Sequence, residues 1–336
     1  MRVAIIGCGK QGARHAAAFA GCAAVTGLVV TDQDEARGAA LASRHGALCY
    51  PSADAIFADP AIAAIVIATP TPSHHALARR AIAAGKHVMC EKPFGSGAAA
   101  ALDLAQAATA AGRVAEAGYL YRFAPAIAAA RCNVEALGRI ETARFAIAAP
   151  GGEAAWKHRR AAAGGVTNEL LSHMLDLAGW FFGPTAGCEV LEKHLVRPRR
   201  TIAGATIEAD AADVVVARLA MQSGLSVTVQ GDFAAPRFAQ SLEIIGENGV
   251  VRASIAPQFA SFCELHRPAA GFPAGRHALP ASIPGALYRD QAHFFLAATL
   301  TGVRGPASDL GAAAATLRLI DAIDAAPMTG AGPTVV

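Results

Sequence analysis

The stretch RVAIIGCGKQGARHAAAFA, residues 2–20, places a short apolar strand, three glycines and a helix at the start of the chain. Gly7, Gly9 and Gly12 have the G-x-G-x-x-G spacing. In that spacing the first glycine permits a tight turn, the second lets the backbone approach a pyrophosphate, and the third lets the helix pack on the strand. The N-terminus of the helix also offers N–H groups and a positive dipole end to phosphates. The stretch therefore predicts a dinucleotide-binding unit.

The second strand ends in an acidic residue. Asp32 lies 20 residues after Gly12, and an acidic residue about 20 residues beyond the glycines commonly bonds the ribose 2′-hydroxyl of NAD. No arginine follows Asp32 immediately, as one does where a 2′-phosphate is bound. The alternative is a loop aspartate ahead of the helix that begins near Asp34. The spacing predicts NAD in preference to NADP.

Strands and helices continue to alternate over residues 61–93. We predict a strand over 65–68, a helix over 75–84 and a strand over 87–90. Such alternation predicts a parallel sheet with right-handed crossovers, and ligands of these sheets bind beyond the carboxyl ends of the strands. A lysine at such an end, Lys92, precedes a proline that pushes it out of helical geometry. A lysine in a proline turn is otherwise an ordinary solvated group.

Composition restricts the class of protein. The 336 residues suggest two domains, since a domain holds roughly 100–200 residues. A net charge of +3 is too small to argue for a nucleic-acid partner. Seven scattered cysteines without a C-x-x-C pair predict reduced thiols in a cytoplasmic protein and no metal site. We expect no secretion signal, and no apolar run approaches the roughly 18 residues of a membrane span.

A second polar cluster lies within residues 168–182, which we predict to be one helix. Glu169, His173, Asp176 and Trp180 recur at spacings of four, three and four, so they would share a helical face. A carboxylate can fix the histidine tautomer and favour its cation, which makes the cluster a candidate acid–base unit. The alternative is an ordinary stabilising Glu/His pair.

The second half of the chain has a different pattern. Polar and apolar residues alternate on both sides of Ser223-Gly224 and of Asn248-Gly249, which predicts antiparallel hairpins. Two apolar helices, over 288–302 and 310–326, are expected to close the chain. We predict a doubly wound parallel Rossmann sheet in a domain of residues 1–120. An α+β domain with an open, mainly antiparallel sheet is predicted for residues 121–336.

Four segments carry a resemblance to a known family. They are TPTPSH (69–74), AGKHVMCEKP (84–93), GYLYRFAP (118–125) and GGVTNELLSHMLDLAGWFFG (164–183). Together with the N-terminal glycines, they resemble the Gfo/Idh/MocA oxidoreductases, named for glucose-fructose oxidoreductase and inositol dehydrogenase. The likeness covers nearly the whole chain. It implies a sugar or polyol substrate and an open sheet that mediates a homodimer or homotetramer, since apolar sheet faces seldom stay exposed.

The resemblance also implies catalytic residues. In the family the lysine of E-K-P and the histidine of the later segment act at the nicotinamide ring, and an aspartate four residues before that histidine commonly assists. These roles fall on Lys92, His173 and Glu169, which replaces the usual aspartate, while Leu171 replaces a common glycine. The likeness further implies a cis bond between Lys92 and Pro93.

We therefore predict an NAD(P)-dependent oxidoreductase that interconverts a secondary alcohol and a ketone. The alternatives are an NAD-dependent glycosidase or lyase that oxidises a sugar transiently, and a non-catalytic dinucleotide-binding regulator. The predicted cofactor-binding residues are Gly7, Gly9, Lys10, Gln11, Gly12, Asp32, Thr69, Pro70, His74, Glu91 and Lys92. The predicted substrate-binding residues are Tyr121, Arg122, Trp156, Arg159 and Asp176.

Overall fold

The computed structural model describes residues 1–94, 97–151, 154–162, 164–303 and 306–329. The strands are β1 (Arg2–Ile6), β2 (Gly27–Thr31), β3 (Leu48–Cys49), β4 (Ile62–Ile67), β5 (His87–Cys90), β6 (Ala115–Ala117), β7 (Ile140–Pro150), β8 (Thr185–His194), β9 (Arg199–Ile202), β10 (Ala205–Glu208), β11 (Val214–Met221), β12 (Ser226–Asp232), β13 (Ala234–Gly246), β14 (Gly249–Ala253), β15 (Phe262–Leu265), β16 (Gly275–Ala278) and β17 (Ser308–Asp309). The α-helices are α1 (Lys10–Ala20), α2 (Glu35–His45), α3 (Ala53–Ala58), α4 (His74–Ala83), α5 (Ala98–Ala110), α6 (Pro125–Asn133), α7 (Ser172–Phe182), α8 (Leu287–Thr301) and α9 (Leu310–Ala325). A π-helix covers Thr167–Leu171, and short 3₁₀ segments cover Thr71–Ser73, Leu120–Phe123, Val134–Leu137, Ala155–His158, Arg160–Ala162 and Pro284–Ala286.

The chain divides into two compact units. The first is Met1–Phe123 with Gly285–Ala314, and the second is Ala124–Pro284 with Ala315–Val336. The chain thus returns to the first unit through α8, a segment that the sequence pattern assigned to the second domain. The functional division into a cofactor domain and a substrate domain stays a prediction.

A seven-stranded sheet forms the centre of the first unit, in the order β17-β6-β5-β4-β1-β2-β3. All neighbours are parallel except β17, which runs antiparallel to β6. Most residues of β1 and β4 are buried, as expected for strands covered by helices on both faces. The six parallel strands have the order of dinucleotide-binding sheets, so the predicted Rossmann fold is confirmed.

Helix α8 packs against α1 on one side of this sheet. Phe295 of α8 meets Phe19 of α1 edge-on, with ring centroids 6.3 Å apart, and both rings are fully buried. The two rings join the apolar side chains of β1, β2 and β4 in one core. This burial of aromatic surface explains why α8 belongs to the first unit.

An eight-stranded sheet forms the second unit, in the order β16-β15-β14-β13-β7-β12-β11-β8. Only β7 and β12 are parallel neighbours in it. The predicted hairpins are confirmed: β11 pairs with β12 and β13 with β14, with positive φ angles of 86° at Gly224 and 145° at Gly249. The prediction of a mainly antiparallel second sheet is therefore confirmed. Strands β9 and β10 form a separate hairpin.

One face of the second sheet carries paired charges. Glu243 of β13 lies 3.6 Å from Arg144 and 2.5 Å from Arg252, and Glu264 lies 3.5 Å from Arg276. The expectation of an apolar open face is therefore wrong at these positions. The predicted dimer or tetramer stays a prediction, and any contact through this part of the sheet would be polar.

Within the described ranges, no helix combines the length and apolar character that a bilayer crossing requires. All seven cysteines lie in those ranges, and each is a free thiol.

Candidate active site

The glycine loop of the first unit has two crowded positions and one open position. A Cβ atom added to Gly7 would lie 2.7 Å from the carbonyl oxygen of Ala68, and one added to Gly12 would lie 1.8 Å from that of Gly7. A Cβ atom on Gly9 would meet no atom within 4 Å among the described residues. Gly9 also caps α1. The loop can therefore hold a pyrophosphate: Gly7 and Gly12 close the turn, and Gly9 leaves room for the ligand.

Asp32 stands at the carboxyl end of β2, beside the loop. Its carboxylate accepts hydrogen bonds from the backbone N–H of Cys8 at 2.7 Å and of Asp34 at 2.9 Å. Arg37 is five residues from Asp32 in the sequence but close to it in space, since Arg37 Nη1 lies 3.6 Å from Asp32 Oδ1. Arg37 also bonds Asp34, which caps α2. The acidic residue is thus anchored where a ribose would lie, and it has a basic neighbour.

Glu91 begins the E-K-P turn and is buried. Its side chain accepts a hydrogen bond from His15 Nε2 at 2.7 Å and one from the Lys92 backbone N–H at 3.3 Å. Burial raises the pKa of Glu91, but the His15 hydrogen bond and the nearby charges of His15 and Lys92 outweigh it and lower that pKa. The peptide bond between Lys92 and Pro93 is cis, as the resemblance implied. Glu91 therefore braces the backbone of Lys92 against α1.

His74 connects the two loops that follow β4 and β5. Its ring nitrogens lie 2.7 Å from the carbonyl oxygen of Thr69 and 3.0 Å from that of Pro93, and the residue is 1% exposed. Burial lowers the pKa of His74, although both carbonyl contacts act to raise it. Thr69 in turn bonds Ser73 at 2.6 Å. The ring of His74 thus supports the turn that holds Lys92, and the cofactor contact predicted for it stays a prediction.

The segment with Glu169 and His173 lies in the second unit, and it is not one α-helix. Thr167–Leu171 forms a π-helix, and α7 begins at Ser172. The prediction of continuous α-helix over 168–182 is therefore wrong at its first turn. A π-turn changes the angle between side chains four residues apart, and such turns are frequent at functional sites. Asn168 Nδ2 anchors the π-turn by a 2.9 Å bond to Asp324.

Glu169 has a partner that the sequence pattern missed. Lys157 Nζ lies 2.6 Å from Glu169 Oε2, with the side chains 32% and 11% exposed. The loop around Lys157 folds back on itself: the Gly165 N–H donates to the Lys157 carbonyl at 2.7 Å, and a Cβ atom on Gly164 would lie 2.5 Å from the Trp156 carbonyl oxygen. The two glycines therefore bring Lys157 to Glu169. The support of His173 by Glu169 stays a prediction, which must now include this ammonium group.

The remaining predicted residues of the second unit differ in exposure. His173 and Asp176 are 5% and 2% exposed on α7. Trp156 is 45% exposed with Lys157 Nζ 5.5 Å from its ring centroid, and Arg159 is exposed as well. Accessible Trp156 and Arg159 fit a substrate contact more readily than buried Asp176 does.

In the first unit, Tyr121 and Arg122 lie in the 3₁₀ segment Leu120–Phe123. Arg122 is 5% exposed. Burial raises the pKa of Tyr121, Tyr288 raises it further, and Arg14 opposes them. Tyr121 therefore shares its surroundings with the side chains of α1 and α8.

Sequence reasoning also missed His15 and Lys157. A signal existed for each. His15 lies three residues after Gly12 on the same helix, and Lys157 belongs to the basic run WKHRR, of which only Trp156 and Arg159 were predicted to contact substrate. The described ranges contain no group of three or more histidine, cysteine, aspartate or glutamate residues that could hold a metal ion.

Comparison with known proteins decides the family. Residues 1–119 match the model described as an oxidoreductase family with an NAD-binding Rossmann fold, and residues 128–252 match the GFO/IDH/MocA C-terminal domain. An inositol 2-dehydrogenase of Acidothermus cellulolyticus is 30% identical over 257 residues, which cover 75% of this chain and 72% of that protein. The chain belongs to the GFO/IDH/MocA oxidoreductase family. The predicted family and the prediction of NAD as cofactor are confirmed.

Other GFO/IDH/MocA relatives match shorter stretches or at lower identity. Inositol 2-dehydrogenase 1 of Saccharopolyspora erythraea is 38% identical over 129 residues, which cover 37% of this chain and only 38% of that protein. The crystal structure of GenD2 from gentamicin A biosynthesis in complex with NAD has 26% identity and a TM-score of 0.80, covering 96% of this chain and 92% of that one. Levoglucosan dehydrogenase in complex with NADH and L-sorbose has 22% identity and a TM-score of 0.85, covering 96% and 95% of the two chains, and shows the shared fold.

Proposed function

We propose that the protein is an NAD-dependent dehydrogenase that interconverts a secondary alcohol and a ketone on a sugar, polyol or sugar derivative. The observation that carries the proposal is the position of Lys92. It follows β5 at the same edge of the sheet as the glycine loop and Asp32, and its turn is braced by Glu91 and His74. Ligands of such sheets bind at this edge.

The named relatives support the substrate class. They include inositol 2-dehydrogenases, a levoglucosan dehydrogenase, and a UDP-N-acetylglucosamine 3-dehydrogenase of Acidithiobacillus ferrooxidans that is 38% identical over 94 residues. These enzymes are named for substrates that carry several secondary hydroxyl groups. A polyhydroxylated substrate also suits Trp156, whose accessible indole can stack on the C–H face of a sugar ring.

The residues of the glycine loop and Asp32 would hold NAD, which when bound supplies the hydride acceptor or donor. We assign to His173 the acceptance of the hydroxyl proton when the alcohol is oxidised and its return when the ketone is reduced. Lys92 donates a hydrogen bond to the same oxygen and stabilises the negative charge that develops there. Oriented reactants recover roughly 7–11 kcal/mol of a barrier, so the rigid turn at Lys92 contributes by position as well as by charge.

Glu169 and Lys157 are proposed to act as one polar unit beside His173. The ammonium group partly neutralises the carboxylate, which reduces the support that Glu169 gives to a histidine cation. The pair also presents both a donor and an acceptor to substrate hydroxyls. The side chain of Glu169 is one methylene longer than the aspartate usual at this position, and it reaches Lys157 Nζ at 2.6 Å.

The proposal is tested by a substrate screen that follows NADH absorbance. Polyols, sugars, sugar phosphates and nucleotide sugars are each supplied with NAD and with NADP. We expect steady NADH formation with at least one polyhydroxylated substrate, and its loss in Lys92→Met and His173→Ala. A glycosidase that oxidises its substrate transiently would release a cleaved sugar without net NADH formation, and a regulator would bind NAD without turnover. Either result would overturn the proposal.

A further inference from the structure

Tyr288 of α8 reaches the glycine loop from a distant part of the chain. Its hydroxyl donates to Gln11 Oε1 at 3.1 Å. Arg14 Nη1 donates to the same oxygen at 2.9 Å and lies 3.2 Å from the Tyr288 hydroxyl. The guanidinium carbon of Arg14 also lies 5.5 Å from the centre of the tyrosine ring. All three residues belong to the first unit.

These contacts determine which way the Gln11 amide faces. A guanidinium group has only donors, so the atom of Gln11 that meets Arg14 must be the amide oxygen. The Tyr288 hydroxyl can accept from Arg14 and give its own proton to the same oxygen. The amide nitrogen of Gln11 therefore lies on the other branch of the amide. Gln11 is in the first turn of α1, the end of a helix at which phosphates bind, so this nitrogen is a candidate donor to them.

The other side of Tyr288 faces the E-K-P turn. Its ring meets the ring of His15 edge-on, with centroids 5.2 Å apart, and His15 bonds Glu91. Burial raises the pKa of Tyr288, and the Glu91 carboxylate raises it further, while Arg14 opposes both. The hydroxyl therefore keeps its proton at neutral pH and remains a donor.

We propose that Tyr288, together with Arg14, is a positioning residue of the dinucleotide site: the two side chains hold the Gln11 amide so that its nitrogen donates to the phosphates of NAD. The inference rests on the use of NAD and goes beyond it, because it assigns a role to a side chain of α8 that lies outside the glycine loop. Tyr288 acts through Gln11, so its effect must disappear when the Gln11 amide is removed.

The test measures NADH binding by fluorescence titration, independently of turnover. Tyr288→Phe keeps the ring against His15 and removes the hydroxyl. We expect its Kd for NADH to rise about threefold to tenfold, as for the loss of one hydrogen bond that orients a donor. Arg14→Met, at an exposed position, should act in the same direction. The KM for NAD should rise in both variants, with kcat at saturating NAD nearly unchanged.

The matched control is Tyr50→Phe. Like Tyr288→Phe, it removes a partly buried tyrosine hydrogen bond in the first unit. That bond, of 2.7 Å, goes to Asp59, which precedes β4 and lies at the opposite end of the strand from the loop. This variant should bind NADH like the wild type. Gln11→Ala should weaken binding at least as much as Tyr288→Phe, and the double variant of Gln11 and Tyr288 should bind no worse than Gln11→Ala alone.

Each outcome decides between the proposals. If the wild-type protein binds NADH and Tyr288→Phe binds it with the same Kd, this inference is overturned, while the dehydrogenase proposal stands. Additive losses in the double variant overturn it as well, because Tyr288 would then act without Gln11. Failure of the wild type to bind NADH overturns both.

Discussion

The buried pair of His15 and Glu91 allows a sharp stability prediction. The two side chains are 1% and 7% exposed, and the carboxylate is bonded at 2.7 Å. His15→Leu leaves an apolar side chain of similar size and removes the partner of Glu91. Removal of one partner from a buried pair costs about 3–5 kcal/mol, because the other charge stays buried without compensation. At roughly 2–4 °C per kcal/mol for a unit of this size, we expect the melting temperature to fall by about 6–20 °C near neutral pH.

The pH dependence of this loss has a definite sign. In the wild type the pKa of Glu91 is lowered, so its contribution to stability is present above the unfolded pKa and is lost as pH falls through the folded value. In His15→Leu, burial acts without the histidine and raises the pKa of Glu91. When the pKa of Glu91 is higher in the folded than in the unfolded protein, its contribution to stability is fully present below the unfolded pKa and is lost as pH rises through the folded pKa. The difference between variant and wild type should therefore be largest near neutral pH and shrink in acid.

The assay is thermal unfolding by calorimetry and circular dichroism at several pH values between about 4 and 7, around the ordinary range of glutamate titration. The control replaces both partners, His15→Leu with Glu91→Met, since a buried pair replaced by apolar residues is often neutral in stability. The double variant should be more stable than the single one. The reasoning is refuted if the single variant loses less than about 1 kcal/mol, the scale of an exposed pair, or if its loss stays constant with pH.

Four further predictions concern activity and assembly. Lys92→Met should abolish turnover while the Kd for NADH stays nearly unchanged, and near-normal turnover would show that the central assignment is wrong. Asp32→Ala should weaken NAD binding and improve NADP binding relative to NAD, because Arg37 remains beside the ribose position. When Arg37→Ala is combined with Asp32→Ala, this improvement in NADP binding should disappear. Glu169→Gln should lower kcat by up to about 10²-fold and shift the limb of the pH–rate profile that reports His173 to lower pH. Lys157→Met should shift the same limb to higher pH. If both pH–rate profiles are unchanged, Glu169 and Lys157 do not contribute to catalysis. Light scattering at micromolar concentration should give the mass of a dimer or tetramer, and a monomer mass would contradict the predicted assembly.

Much of the first unit could be predicted from local patterns. The glycine spacing, Asp32 and the Lys92-Pro93 turn each depend on the backbone a few residues either side, and apolar runs that stop at proline or glycine mark the ends of strands. Because parallel strands present their carboxyl ends at one edge, these local signals also predict which residues would bind the cofactor. The hairpins of the second sheet were predictable for the same reason, since Gly224 and Gly249 adopt positive φ angles that few other residues accept.

The contacts that position the proposed site could be decided only by the tertiary structure. His15 and Glu91 are 76 residues apart in the chain, and Gln11 and Tyr288 are 277 apart. No local period reports such contacts, and the alanine excess hides which face of a helix is buried, because alanine fits either face. The π-turn before His173 and the pairing of Glu169 with Lys157 likewise follow from packing and from the folded-back loop at Gly164-Gly165. The sequence by itself thus determined the fold and the chemistry of the residues. Which distant segments the fold brings together determined the partners of those residues, and therefore their charges and orientations.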